Sequence, residues 1–266
     1  MNNKKAIGIF DSGVGGLTVA KAVQKKLPAE NIIYFGDTVH LPYGNKSEKA
    51  IIQYSLNNAE FLVKKGVKII MAACNTASSV AISSLRREIN LPVLSVLEPG
   101  ANAALESTIN NRIGVIGTFR TIKSGAYQQY LEKNGSAQTK IFSRACPLFV
   151  PIIEEGFKNN KIIDLIIHEY LDGLVQKKID TLILGCTHYP LIKKQIMNIF
   201  PALQIIDSAR AAAMQVDNIL EKSNLKKTNQ SAGNLEIYVN DKSEVFDNIT
   251  RKLFPSAEPI LIKHTE

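Results

Sequence analysis

Short apolar runs of strand length alternate with amphipathic helical patterns along nearly the whole of this sequence. Candidate strands lie at Ala6–Phe10, Ile32–Gly36, Lys68–Ala73, Val93–Leu97, Ile113–Gly117, Lys140–Ser143, Thr181–Gly185, Gln204–Ile206, Leu235–Val239 and Ile260–Ile262. Helical patterns fall between them at Leu17–Leu27, Lys46–Lys65, Thr76–Glu88, Thr121–Asn134, Lys161–Lys177 and Leu191–Phe200. Strands separated by helices pair in parallel through crossovers, and such sheets need helices on both faces. The expected fold is therefore α/β, in three α/β/α layers with mainly parallel sheets. Ligands in such folds bind beyond the carboxyl ends of the strands, so the residues just after each strand are the ones to inspect.

The chain also repeats itself. Ile7-Gly8-Ile9-Phe10-Asp11-Ser12 resembles Ile113-Gly114-Val115-Ile116-Gly117-Thr118, with Ser12 and Thr118 standing 106 residues apart. Two further strands each end on cysteine followed by a small polar pair, Cys74-Asn75-Thr76 and Cys186-Thr187-His188, 112 residues apart. Matching features in the same order at nearly the same offset favour two related halves that face each other over coincidence between generic buried strands. Glu98-Pro99-Gly100 reads as a crossover into the second half and Asp207-Ser208-Ala209 as the return. The expected domains are residues 1–98 plus 209–266, and residues 99–208. Ser223–Asn234 is polar and rich in breakers, a surface loop. The strand and helix after it, ending near Phe254, are expected to complete the first half's sheet.

Composition narrows the function classes. The 266 residues, 45% apolar and 21% charged, suit a globular protein with ample core. No apolar run approaches the roughly 20 residues needed to span a bilayer. The first residues lead into a short strand-like run and not a signal-peptide core, so a cytoplasmic, non-membrane protein is expected. The formal charge is +8. The lysines are scattered over helix faces (Lys25, Lys26, Lys64, Lys65, Lys193, Lys194), which favours a solvated surface over a nucleic-acid face and also suits a small anionic substrate. Three cysteines with no Cys-x-x-Cys pair make neither a complete disulfide set nor a zinc site, and Cys186 with His188 lacks a second ligand pair. No metal is expected.

Asp11-Ser12-Gly13-Val14-Gly15-Gly16 joins the first strand to the first helix. Its glycines permit close approach of a ligand, and helix N-terminal amides suit an anion. It matches neither a dinucleotide fingerprint nor a phosphate loop, so no cofactor is implied. Asp37-Thr38-Val39-His40-Leu41-Pro42-Tyr43-Gly44, after the second strand, can supply ligand contacts or serve as an ordinary turn. Cys74 and Cys186 carry the strongest signal. A cysteine ahead of a helix N-terminus has its thiolate stabilised by the dipole and nearby amides. One cysteine at a strand end is more often a small buried hydrophobe, but two in matching contexts reverse that preference. Cys146, before Pro147, lacks polar neighbours and reads as structural. Glu154 alone reads as a helix-surface carboxylate, and His168 and His264 as surface or packing residues.

Taken together, Asp11-Ser12-Gly13-Val14-Gly15-Gly16, Asp37 with Pro42-Tyr43-Gly44, Cys74-Asn75-Thr76-Ala77, Val150-Pro151-Ile152-Ile153-Glu154 and Leu184-Gly185-Cys186-Thr187-His188-Tyr189-Pro190 closely resemble the glutamate racemases of the cofactor-independent aspartate/glutamate racemase family. The resemblance runs in order from about residue 7 to residue 210. It implies two α/β domains with the active site in the cleft between them. The implied activity is isomerisation of L- and D-glutamate without pyridoxal phosphate or metal, the D-enantiomer serving bacterial peptidoglycan synthesis, and a homodimer is the expected assembly. By position, Cys74 acts on the α-proton of D-glutamate and Cys186 on that of L-glutamate, Asp11 assisting Cys74, and Glu154 and His188 assisting Cys186. Ser12, Tyr43, Gly44, Asn75, Thr76, Thr187 and His188, together with Asp11, are the implied substrate contacts, with Asp37 in support.

The chemistry agrees with two opposed thiols. Inversion at Cα needs a base on one face and an acid on the other, with the roles exchanged for the reverse reaction. Aspartate or hydantoin racemisation and malonate decarboxylation are alternatives within the superfamily, but decarboxylation needs only one proton donor. A non-catalytic binding protein on the same fold is the alternative of a different class.

Overall fold

A computed structural model describes residues 4–156, 161–228 and 231–262; His264 lies outside the described residues. In chain order the elements are β1 (Ile7–Asp11), α1 (Leu17–Lys26), β2 (Ile32–Gly36), α2 (Glu48–Lys64), β3 (Ile69–Ala72), α3 (Asn75–Val80), α4 (Ile82–Glu88), β4 (Val93–Ser95), α5 (Leu97–Ser107), β5 (Arg112–Gly117), α6 (Phe119–Lys123), α7 (Ala126–Asn134), β6 (Lys140–Ala145), α8 (Phe149–Glu154), α9 (Lys161–Val175), β7 (Thr181–Gly185), α10 (Lys193–Ile199), β8 (Gln204–Ile206), α11 (Ser208–Lys222), β9 (Leu235–Val239), α12 (Glu244–Leu253) and β10 (Ile260–Leu261). Short 3-10 turns occupy Thr38–His40, Tyr43–Asn45 and Tyr189–Ile192.

The strands form two sheets, and every pairing is parallel. One is ordered β10-β9-β2-β1-β3-β4 and the other β6-β5-β7-β8. The run β2-β1-β3-β4 is reproduced as β6-β5-β7-β8, so the sequence repeat is a repeat of strand order. Ile7 faces Ile32 and Ile69 in the first sheet, as Ile113 faces Ile141 and Thr181 in the second.

Alternation along the strands divides each core in two. Ile7, Ile9, Ile32, Tyr34, Ile69 and Met71 meet Leu17 and Val23 of α1 and Ala212 and Val216 of α11. Phe10, Ile33, Phe35 and Ile70 meet Ile51 and Leu62 of α2 and Leu85 of α4. In the second sheet, Ile116, Leu182 and Leu184 face α8 to α10, whereas Ile113, Val115 and Ile183 face α5 and α7. Burial on both faces is why the central strands are apolar without interruption. Helices α1, α11, α5 and α7 pack in succession and so join the two lobes along one side.

Several expected boundaries shift for identifiable reasons. Thr121–Asn134 divides into α6 and α7 because Gly125 adopts φ +69°, a left-handed conformation suited to glycine. Thr76–Glu88 divides at Ala81 into α3 and α4, where the Ser79 hydroxyl bonds back to the Thr76 carbonyl and competes with the helical pattern. Glu98-Pro99-Gly100 lies in the first turn of α5, the helix that joins β4 of one sheet to β5 of the other; proline is tolerated there because its missing N–H has no helical partner. Asp207 caps α11 by accepting from the Ala209 N–H at 2.9 Å. Among the described residues no helix is long and apolar enough to cross a membrane.

The polar loop after α11 is tied beneath the first sheet by a buried ion pair. Lys68, at the foot of β3, and Glu30 have side chains 0% and 2% exposed. Lys68 Nζ donates to Glu30 and to the Leu225 carbonyl (2.7 Å), and Glu30 Oε1 accepts from the Lys227 N–H at 2.7 Å. Removing one member strands the other charge. Lys68→Ala is expected to reduce the unfolding free energy by about 3–5 kcal/mol in urea titration, whereas an unchanged midpoint would show that the pair contributes no net stability.

Candidate active site

The loops after β1 and β3 open side by side at the centre of the first sheet, and those after β5 and β7 do so in the second. Crossovers diverge to either side of these strands, leaving a crevice at their carboxyl ends. The two crevices face each other. Their shared cleft is lined by Ser12, Leu41, Pro42, Tyr43, Gly44, Cys74, Asn75, Thr76, Thr118, Val150, Cys186, Thr187 and His188. Every residue expected to touch substrate lines it except Asp11, which lies immediately behind.

Asp11 ends β1 and is fully buried. Its Oδ2 accepts from the Gly13 N–H at 3.0 Å and its Oδ1 from the Thr187 hydroxyl at 3.4 Å. Burial raises its pKa, opposed by the nearby charge of His188 and by bonds from the Gly16 and Gly13 amides and Thr187. Its hydrogen bonds do not go to Cys74, on which it acts through charge. The Cys74 thiol donates to Ser12 Oγ at 3.5 Å and is pushed up to about 12, by burial first and then by the Asp11 carboxylate; Ser12 and the Ala77 amide pull the other way. Cys74 is the N-cap of α3, so the amide expected to stabilise its thiolate is present. Burial outweighs it.

Cys186 departs from the expected helix start. It follows β7 directly, but α10 begins only at Lys193, after Thr187, His188 and a 3-10 turn containing Pro190. Its partner is a side chain: Cys186 Sγ lies 3.9 Å from His188 Nδ1. The opposite ring nitrogen, Nε2, is 3.0 Å from Glu154 Oε1. Burial lowers the His188 pKa, but the bonds and charges of Cys186 and Glu154 reverse this and carry it up to about 10. When protonated, the ring donates from both nitrogens, toward Cys186 on one side and Glu154 on the other. Glu154, at the end of α8 with its side chain 22% exposed, is thus the outer member of a contact chain that runs through His188 to Cys186.

Hydrogen bonds cross the cleft in both directions. Thr187 reaches Asp11 from the four-stranded lobe. Thr76, from the six-stranded lobe, lies 3.0 Å from the Thr118 hydroxyl and 3.2 Å from that of Thr121. The Tyr127 hydroxyl donates to Asn75 Oδ1 at 2.6 Å, leaving the Asn75 amide N–H groups for other acceptors. Two glycines make the closure possible. A Cβ on Gly15 would overlap Thr187 Oγ1 and lie 2.8 Å from His188 Nδ1; one on Gly44 would lie 2.9 Å from Thr118 Cβ.

Asp37 lies behind Tyr43, buried, and accepts from the Tyr43 hydroxyl and from His40 Nδ1 at 2.8 Å. The Tyr43 hydroxyl also accepts from Asn58 Nδ2 at 3.0 Å. Its oxygen is therefore committed away from the cleft, and Tyr43 offers its ring and backbone there. Sequence reasoning missed Thr118, Thr121 and Tyr127. The signal for Thr118 was available, because it occupies the place of Ser12 in the repeat. Tyr127, on the inner face of α7, had no local signal. Cys146 is buried and His168 is exposed, bonded to Asp172 at 3.0 Å.

A family model described as Asp/Glu/Hydantoin racemase matches residues 17–216. The chain is 49% identical to the glutamate racemase of Persephonella marina, over 92% of this chain and 91% of that protein. It is 44% identical to the Aquifex aeolicus glutamate racemase over 92% of each. A solved structure of the Francisella tularensis glutamate racemase in complex with D-glutamate superposes with a TM-score of 0.91, at 36% identity and covering 98% of both chains.

Gly15→Ala is expected to force the lobes apart at Thr187 and to cost about 1–3 kcal/mol by overpacking; small-angle scattering with calorimetry checks this, and an unchanged scattering profile and melting temperature would contradict it. Glu154→Gln removes one of the charges that raise the His188 pKa, so the His188 midpoint is expected to fall from about 10 toward that of free histidine. An NMR titration of the His188 ring reads this directly.

Proposed function

The chain belongs to the Asp/Glu/Hydantoin racemase family, and from that membership we propose that its cleft interconverts L- and D-glutamate by proton transfer between two opposed cysteines, with no cofactor. The protein is an amino-acid racemase of the glutamate racemase type. The observation that carries the mechanism is that two buried thiols, presented by equivalent strand ends of a repeated sheet, line one cleft with different partners behind each.

For D-glutamate, Cys74 as thiolate takes the α-proton, and the Cys186 thiol delivers its own proton to the opposite face of the carbanion. The product is L-glutamate, with Cys74 now protonated and Cys186 a thiolate. The reverse reaction exchanges the roles. The elevated pKa of Cys74 makes its thiolate scarce but strongly basic, which suits a weakly acidic Cα–H. Asp11 acts on Cys74 through charge. On the other face, His188 carries its positive charge beside the sulfur that becomes anionic when Cys186 gives up its proton to form L-glutamate, and Glu154 holds that charge in place. Ser12, Gly44, Asn75, Thr76, Thr187 and His188 supply donors for the substrate carboxylates, and Tyr43 forms the wall beside them. The two lobes are taken as residues 1–98 with 209–266 and residues 99–208. The D-glutamate serves peptidoglycan synthesis, in a cytoplasmic homodimer.

Circular dichroism of the purified protein is expected to show loss of the D-glutamate signal without added cofactor, and none of the D-aspartate signal; the opposite preference would overturn the substrate assignment. In deuterium oxide the product should carry solvent deuterium at Cα. Cys74→Ser and Cys186→Ser should each lower kcat by about 10²–10⁴-fold, the range for loss of a general acid–base, and near-wild-type turnover in both would rule out the two-thiol mechanism.

A further inference from the structure

The segment that follows the polar loop carries no motif, yet one of its side chains braces the cleft wall from behind. Strand β9 lies beside β2, so the loops leaving their carboxyl ends run next to each other. Asn240, the first residue after β9, accepts at Oδ1 from the Val39 N–H (3.0 Å) and lies 3.0 Å from the Thr38 hydroxyl. Its Nδ2 donates to Asp37 Oδ1. A backbone N–H can only donate, so the orientation of the amide is set by its partners. Beside it the Thr38 hydroxyl reaches the Asp241 carbonyl at 2.6 Å and accepts from the Asp241 N–H at 2.9 Å.

Through these contacts Asn240 holds both the carboxylate and the backbone on which the cleft wall is mounted. The other donors to Asp37 are Tyr43 and His40, and Tyr43 leads directly to Gly44, which packs on Thr118 of the opposite lobe. The wall itself has only two short 3-10 turns and no regular helix or strand before α2 begins at Glu48. We propose that Asn240 is a positioning residue for racemisation: it never meets the substrate, but through Asp37 and the Thr38–Val39 backbone it fixes where Tyr43 and Gly44 stand in the cleft. The inference rests on the racemase function proposed above.

Full-length wild type, Asn240→Ala and Asn240→Asp are compared by steady-state kinetics in both directions and by thermal unfolding. Asn240→Ala is expected to raise KM for both enantiomers about tenfold, the scale of one or two lost charge-assisted hydrogen bonds, with a much smaller change in kcat. Because the enantiomers are equally stable, kcat/KM falls equally in both directions. Asn240→Asp keeps the shape but sets a second carboxyl against Asp37. Its KM relative to wild type is expected to fall as the pH is lowered and a proton shared by the two carboxyls restores a donor. His40, Tyr43, Tyr54 and Asp241 are the other titratable groups around that pair, and because His40 touches Asp37 at 2.8 Å and feels the added carboxyl, the same ratio is also read with His40→Asn in both proteins. Wild-type KM in both variants, or a loss of kcat that tracks the unfolded fraction with a flat pH ratio, would overturn the positioning role. A wild type that leaves glutamate unracemised would instead overturn the proposed function and this inference with it.

Discussion

A carboxylate sealed away from water must find its donors inside the protein, and Asp11 finds them in two lobes at once. The Gly13 and Gly16 amides come from its own turn and the Thr187 hydroxyl from across the cleft, with the charge of His188 close by. The first requirement shapes the glycine-rich turn. The second brings the β7 loop down onto the β1 loop, and the bare backbone of Gly15 is what lets it approach. The same negative charge lies near Cys74 and raises its pKa further. One buried group thereby couples turn geometry, lobe closure and the basicity of a thiol.

Duplication supplies the frame on which this coupling is built, and departures from it give the two thiols different surroundings. Position for position, Asp11 corresponds to Gly117, Ser12 to Thr118, Asp37 to Cys146, and Cys74 to Cys186. The backbone preserves the correspondence: the Asp37 N–H bonds to the Asp11 carbonyl at 3.0 Å, and the Cys146 N–H to the Gly117 carbonyl at 2.8 Å. The side chains do not. Where one lobe has carboxylates at both places, the other has glycine and cysteine, and its thiol partner comes instead from His188 and Glu154. A symmetric pair of loops thus surrounds each sulfur with a different field, as a catalyst that handles mirror-image substrates on opposite faces requires.

Much of this was legible before any coordinates. Strand and helix periodicity located all ten strands of the described residues to within a few residues, because central strands buried on both faces leave uninterrupted apolar runs. The errors fell where local chemistry competes with pattern: a left-handed glycine at 125, serines that bond back to the backbone near Ala81, and a proline-containing 3-10 turn after Cys186 where a helix start was expected. The strand-end residues Asp11, Ser12, Cys74, Asn75, Thr76, Cys186, Thr187 and His188 were readable as a set, since parallel α/β folds collect function there. Thr118 was equally readable from the repeat.

By itself the sequence determined the parallel α/β architecture, its duplication and the two cysteines at equivalent strand ends, for these follow from periodicity and from spacing along the chain. Only the tertiary structure decided which partners each thiol has. The Cys74 thiol is raised by burial and by Asp11, and burial depends on how completely the lobes exclude water. Glu154, ordinary on its own short helix, becomes part of the site because α8 ends within reach of His188. Asn240 reaches the cleft wall because β9 pairs with β2 across some 200 residues of chain. Burial, charge and contact between distant segments are properties of packing, and no local pattern encodes them.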